Sequence, residues 1–247
     1  MKPIADRTAW LKGGDARCAT TPPRPTRTMR LVLLGAPGVG KGTQAELLCA
    51  RLGTCHLSTG DIFRAAKTSA RTEQTPALAQ ALECMRRGEL VADATVLGIL
   101  RERLRCLQCH GGFLLDGFPR TAAQANALET VLKAEGLALD CVLDYELNLE
   151  HIVARLSGRR TCPRCNAVFH LTTKPPRVED TCDLCNATLH QREDDRPESI
   201  RVRMQAYRQS TEPLVEFYRE RGLLMLISAE GSPEEICERT LAGLGGL

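Results

Sequence analysis

Lys41 stands in a run of small residues, Gly35-Ala36-Pro37-Gly38-Val39-Gly40-Lys41-Gly42-Thr43. Glycines let the main chain pass close to an anion, because no Cβ intervenes. Main-chain N–H groups then face a polyphosphate, and the lysine ammonium reaches its terminal groups. The general pattern of such loops asks for Ser or Thr directly after the lysine. Here Gly42 holds that place and Thr43 comes one later. A tight strand-to-helix turn with incidental glycines is the plainer alternative. Against it, Gly35, Gly40 and Lys41 all fall on the phosphate-loop pattern.

Three further groups have chemical potential. Asp116 ends the apolar run Phe113-Leu114-Leu115 and precedes Gly117-Phe118-Pro119-Arg120. A carboxylate there can hold a water of Mg²⁺; Asp before Gly is also ordinary turn chemistry. Arg155, Arg159 and Arg160 gather where a helical stretch ends, a place that also suits cations through the helix dipole. Cys162 and Cys165 form one C-x₂-C pair, Cys182 and Cys185 another, with 16 residues between the pairs. That is the spacing of a four-thiolate zinc ribbon. Four thiolates leave no open coordination position, so the expected Zn²⁺ is structural. A redox-active dithiol, or paired disulfides, is the alternative. Cys106 and Cys109, beside His110, are a lone pair that reads as incidental.

The elements that must position these groups follow from apolar spacing. Leu31 to Leu34 read as a short buried strand, and the stretch from Gln44 to Leu52 as a helix. Cys55 to Leu57 predict a second strand, with Ser58 or Thr59 capping the helix after it. Thr75-Pro76 opens a helical stretch that stops at Gly88. A further helix is predicted from Ala94 to about Cys106, and another from Ala122 to Glu135. Phe113 to Leu115 and Cys141 to Leu147 read as strands. Alternating strands and helices argue for a parallel sheet. In such a sheet ligands bind at the carboxyl edge, where Lys41 and Asp116 both fall. A helix begins near Pro197, a strand follows over 222–228, and a closing helix is expected from Pro233 to Leu241.

The bulk properties bound the rest. The 247 residues suit one domain with appendages or two small domains. A formal net charge of +3 and 4% aromatics argue against a nucleic-acid surface. No run of 18 apolar residues exists, so no spanning helix is expected. Twelve cysteines, most of them scattered, point to buried free thiols in a reducing compartment. Residues 1–28 are basic, rich in Pro and Thr, and poor in acids. They read as a disordered extension, with an organellar transit peptide or a start at Met29 as alternatives.

Taken together, these motifs resemble adenylate kinase of the long, zinc-bearing bacterial type. The resemblance rests on the loop at 35–43, Ser58-Thr59-Gly60-Asp61, the run Leu114-Leu115-Asp116-Gly117-Phe118-Pro119-Arg120, and Gly158-Arg159-Arg160. It covers nearly the whole chain from Met29. In that family Gly and Thr stand where Gly42 and Thr43 are. The resemblance implies an α/β fold: a P-loop, three-layer parallel-sheet core over 29–58, 89–157 and 196–247. A helical monophosphate-binding insertion over 59–88 and a small zinc-ribbon lid over 158–195 complete it. It implies reversible transfer of the terminal phosphoryl of ATP to AMP, giving two ADP, with Mg²⁺. It also implies a cytoplasmic monomer without nucleic-acid or membrane partners.

Residue by residue, Gly38, Val39, Gly40, Lys41, Gly42 and Thr43 would cradle ATP phosphates. Arg155 and Arg159 would lie over ATP, with Val168 and Phe169 on the lid side and the Gly231 backbone near adenine. Thr59, Arg64, the backbone of Glu89, Leu90 and Val91, and Gln124 would hold AMP. The Gly117-Phe118-Pro119-Arg120 turn would do so as well. Arg192 and Arg203 would clamp the transferred phosphoryl and the AMP phosphate, and Asp194 and Asp195 would couple lid movement to the core. Lys41, Arg120, Arg155, Arg159, Arg192 and Arg203 would supply the catalytic charge, and Asp116 would hold the Mg²⁺ water. No general base is needed, because the AMP phosphate is already an anionic nucleophile. A different nucleoside monophosphate kinase is the nearest rival; Gln124, whose amide can pair with the adenine edge, argues for AMP. A zinc-ribbon nucleic-acid regulator with an NTPase loop is the rival from another class, and it leaves Asp116 to Arg120 unexplained.

Overall fold

The computed structural model describes residues 28–66, 76–86, 91–101, 107, 111–165 and 167–246. Five parallel strands form the central sheet: β1 (Met29–Gly35), β2 (Cys55–Ser58), β3 (Gly112–Asp116), β4 (Cys141–Glu146) and β7 (Leu224–Ser228). Their order across the sheet is β2-β3-β1-β4-β7. The strands read as apolar runs because both faces are covered. Val32, Leu34, Phe113, Leu115 and Val142 pack on one side with Leu128, Leu214 and Tyr218. Leu31, Leu33, Leu114, Leu143 and Tyr145 pack on the other with Leu48 and Ile236.

The helices follow in chain order: α1 (Lys41–Leu52), α2 (Thr59–Ala66), α3 (Pro76–Arg86), α4 (Asp93–Arg101), α5 (Ala122–Ala134) and α6 (Leu149–Gly158). After a short antiparallel pair, β5 (Arg159–Thr161) and β6 (Val168–His170), come α7 (Pro197–Ala206), α8 (Leu214–Arg219) and α9 (Pro233–Leu244). Local chemistry explains their ends. Ser58 Oγ accepts from the Asp61 N–H at the start of α2, as expected of a cap. Ser232 and Glu235 form a reciprocal capping box on α9. Gly53, with a left-handed φ of 72°, ends α1 and donates to the Cys49 carbonyl.

Some boundaries differ from the sequence expectation. Helix α1 starts at Lys41 rather than Gln44, so Lys41 lies in the first turn, at the positive end of the helix. Helix α4 runs from Asp93 to Arg101, and residues 102–106 lie outside the described set. The helix after Pro197 is not continuous: residues Tyr207–Thr211 form a π turn before α8. Residues 1–27, and with them nearly all of the N-terminal extension, lie outside the described residues. Among those described, no helix is long and apolar enough to cross a membrane.

Candidate phosphoryl-transfer site

The sheet register brings the chemical residues to one edge. Asp116 aligns with Leu33 of β1 and Ser58 of β2, and Asp144 aligns with Leu34. The chain leaves β1 through Gly35, whose φ is +126°. A Cβ there would lie 2.6 Å from the Tyr145 carbonyl oxygen. Only glycine makes this exit, which starts the loop toward α1.

Lys41 folds back on that loop. Its Nζ donates to the carbonyls of Gly35 at 2.6 Å and Ala36 at 3.0 Å. Burial pushes its ammonium down to about 8, and the charges of Arg120 and Arg203 push the same way against Asp116 and Asp144. Three distant segments therefore act electrically on one lysine. An incoming polyanion would favour the ammonium. For Asp116 burial is the largest single influence and pushes the carboxyl up. His56, Lys41 and Arg120 outweigh it and hold the group below its ordinary value. His56 Nε2 lies 3.5 Å from Asp116 Oδ2.

The turn after Asp116 is built around Gly117, with a φ of +79°. Its carbonyl accepts from Thr59 Oγ1 at 2.9 Å and from Arg120 Nε at 2.9 Å. A Cβ on Gly117 would meet Thr59 Oγ1 at 2.8 Å, so Thr59 and Arg120 can converge only over glycine. The Phe118–Pro119 peptide is cis, and both side chains are buried. Gln124 is 5% exposed on α5. Val91 precedes α4; Glu89 and Leu90 lie outside the described residues, and Arg64 is described only as backbone of α2.

The remaining arginines lie in the last turn of α6 and beyond it. Arg155 donates to the carbonyls of Val39 at 2.7 Å and Ala229 at 2.8 Å, joining the loop to the segment after β7. Gly231 follows, with a φ of +101°. Arg159 Nε donates to Asp195 Oδ2 at 2.7 Å, and its second contact completes a two-point pair with the same carboxylate. Arg203 lies 3.1 Å from Asp194 Oδ2 and 3.4 Å from Asp195 Oδ1. Asp195 is fully buried between these partners. Arg192 Nε donates to Thr161 Oγ1 at 2.9 Å. Phe169 is buried in a small core with Cys162, Cys182 and Leu189, so its ring supports this unit from within; Val168 is half-buried beside it.

The four paired cysteines meet. Cys162 Sγ lies 3.3 Å from Cys185 Sγ, and Cys165 Sγ lies 3.5 Å from Cys182 Sγ and 3.6 Å from Cys185 Sγ. All four sulfurs fall within 4.8 Å of one another, and all four are free thiols. A disulfide needs about 2.05 Å. A tetrahedral ion with sulfur at about 2.3 Å sets sulfurs about 3.8 Å apart. The set therefore fits a metal. The two knuckles are built alike: Cys162 N–H donates to Ala167 O, and Cys182 N–H to Ala187 O, each at 2.9 Å.

Comparison with known proteins decides the family. Residues 33–223 match the family profile for Adenylate kinase. An adenylate kinase of Caldicellulosiruptor saccharolyticus is 49% identical over 212 residues, covering 86% of this chain and 95% of the relative. The chain belongs to the adenylate kinase family. An adenylate kinase of Streptomyces avermitilis is 45% identical over 217 residues, covering 87% of this chain and 97% of the relative. One from Bacillus licheniformis is 44% identical over 218 residues, with 88% and 99% covered.

Three residues near this family's loop and turn escaped the sequence reading: His56, Asp93 and Asp144. Asp144 had a visible signal, a carboxylate in the apolar strand Cys141–Glu146. It is 3% exposed, and its Oδ1 has no hydrogen-bond partner among the described residues. Burial, reinforced by Glu146, pushes its carboxyl up to about 6. The folded state thus binds this proton more tightly than the unfolded chain. The associated stability is present below the unfolded value and is lost as pH rises through about 6. Asp144→Asn should therefore gain about 2–3 kcal/mol over the parent at pH 8 and little at pH 4. Urea unfolding midpoints at the two pH values measure this; equal shifts at both would refute it.

Proposed function

We propose that the chain catalyses the reversible transfer of the terminal phosphoryl of ATP to AMP, giving two ADP. The observation that carries this reading is the geometry at the sheet's carboxyl edge, where the Lys41 loop leaves β1 beside Asp116 and the Gly117 carbonyl gathers Thr59 and Arg120. Phosphoryl transfer asks little covalent chemistry of a protein; it asks for in-line positioning and positive charge on the equatorial oxygens. In this reading the loop from Gly38 to Thr43 cradles ATP, with Arg155, Arg159, Val168, Phe169 and Gly231 around it. Thr59, Arg64, the 89–91 backbone, the Gly117–Arg120 turn and Gln124 hold AMP. Arg192 and Arg203 steady the moving phosphoryl between them. Asp116 would hold a water of Mg²⁺, which when bound neutralises phosphate charge.

Residues 29–58, 89–157 and 196–247 serve as the core, 59–88 as the AMP cover and 158–195 as the lid. Lid closure excludes water that would otherwise hydrolyse ATP. Cys162, Cys165, Cys182 and Cys185 would hold a structural Zn²⁺ in that lid. The buried thiols of Cys141 and Cys237 support a reducing, cytoplasmic setting. The decisive assay follows ADP from ATP and Mg²⁺ with and without AMP. ADP formation should depend on AMP and release no inorganic phosphate; formation without AMP would sink the reading.

A further inference from the structure

Gln124 does not hang free in its site. Its Nε2 donates to Asp93 Oδ1 at 2.6 Å, and its Oε1 accepts from the Arg120 N–H at 2.8 Å. Asp93 also accepts, through Oδ2, from Thr121 Oγ1 at 3.1 Å, and Thr121 Oγ1 accepts from the Gln124 N–H at 3.2 Å. Thr121 is the cap of α5, and Asp93 opens α4, so the ring ties the starts of two helices.

These partners decide which end of the amide is which. An ionised carboxylate only accepts, so it demands the NH₂ end; a main-chain N–H only donates, so it demands the oxygen. After both are served, the amide keeps one N–H and one lone pair, in a fixed order. That order complements an edge carrying a ring-nitrogen acceptor beside an amino donor, as in adenine. A 6-oxopurine edge is reversed, with a ring N–H beside a carbonyl. Matching it requires turning the amide over. Turning it sets NH₂ against the Arg120 N–H and oxygen against the Asp93 carboxylate, two unpaired contacts in a nearly dry place.

We propose that Asp93 is the specificity-determining positioning residue of the acceptor site, holding the Gln124 amide in the one sense that accepts a 6-aminopurine monophosphate and rejects a 6-oxopurine one. This rests on the AMP reading given above. Asp93 acts through Gln124 rather than on the reacting atoms, so its removal changes the choice of base more than the rate of transfer.

The test compares AMP with IMP as acceptors at fixed ATP, in the full chain. In Asp93→Asn the carboxamide can offer either a donor or an acceptor, so the turned amide loses one of its two penalties. The ratio of kcat/KM for AMP to that for IMP should fall about tenfold or more. The KM for ATP and the kcat at saturating AMP should stay within about twofold. Thr121→Val removes the cap contact but leaves Asp93 on Gln124; it should lower the Tm without moving the ratio. Should Asp93→Asn show no cooperative unfolding, Asp93→Ser keeps a good helix-start residue and takes its place. An unchanged ratio, or equal loss with both acceptors, overturns the proposal. If the parent protein makes ADP without AMP, the functional reading fails instead, and the two failures are distinguished.

Discussion

Lys41→Ala lowers kcat/KM for ADP formation about a thousandfold and leaves the fold intact; that is the result expected from steady-state kinetics alongside thermal unfolding. In the proposed assignment the lysine is the half-buried cation of the phosphate loop, and its ammonium would meet the transferring phosphoryl as charge develops. Removing one such group from a water-poor site costs on the order of 10²–10³ in rate. The fold should survive because, among the described residues, the hydrogen bonds of Nζ go to the Gly35 and Ala36 carbonyls of its own loop. Burial already depresses this ammonium, so the deletion removes a charge that is costly to the free protein. A Tm equal to or slightly above that of the parent should accompany the kinetic loss. Retained turnover would remove Lys41 from the mechanism.

The second large effect concerns the cysteine set. The core beneath it is small, with Phe169 and Leu189 as its buried non-cysteine members. So little apolar area cannot hold a unit of this size by itself, and metal binding would supply the missing folding free energy. Metal removal by chelator, or Cys162→Ser, should lower the first thermal transition by about 10 °C, the response to a loss of a few kcal/mol. Turnover at moderate temperature should fall much less, because no cysteine touches the phosphates in the proposed assignment. Metal analysis of reduced protein should return one zinc per chain. A metal-free protein with an unchanged Tm would defeat the structural role.

The parts of this architecture legible in the sequence are those encoded over a few residues. Strand, glycine loop and helix around Lys41 are contiguous, so their order exposes the phosphate loop. The two C-x₂-C pairs are likewise local patterns, and the structure needed only to bring them together. What escaped depends on separation. Asp93 precedes the helix predicted from Ala94 and carries no local signal of its role, because its partner Gln124 lies 31 residues away. His56 sits in a strand whose neighbour, β3, is more than fifty residues distant in sequence and carries Asp116. Asp144 was visible as an oddity, but its cost comes from burial that only packing reveals. The π turn at Tyr207–Thr211 follows from no composition rule; the residues of that stretch suit a plain helix equally well.

The pairing of Arg159 and Arg203 with one buried carboxylate has a consequence for the resting enzyme. Asp195 and its neighbour Asp194 act as internal counter-ions to Arg159 and Arg203, two of the arginines proposed to meet phosphate. A lone small anion must compete with a bonded carboxylate that is already in place and already desolvated. In the proposed assignment a polyphosphate spanning several cations at once would meet that competition better than inorganic phosphate. Under that assignment the carboxylates would set a threshold of charge and length that an anion must pass to displace them.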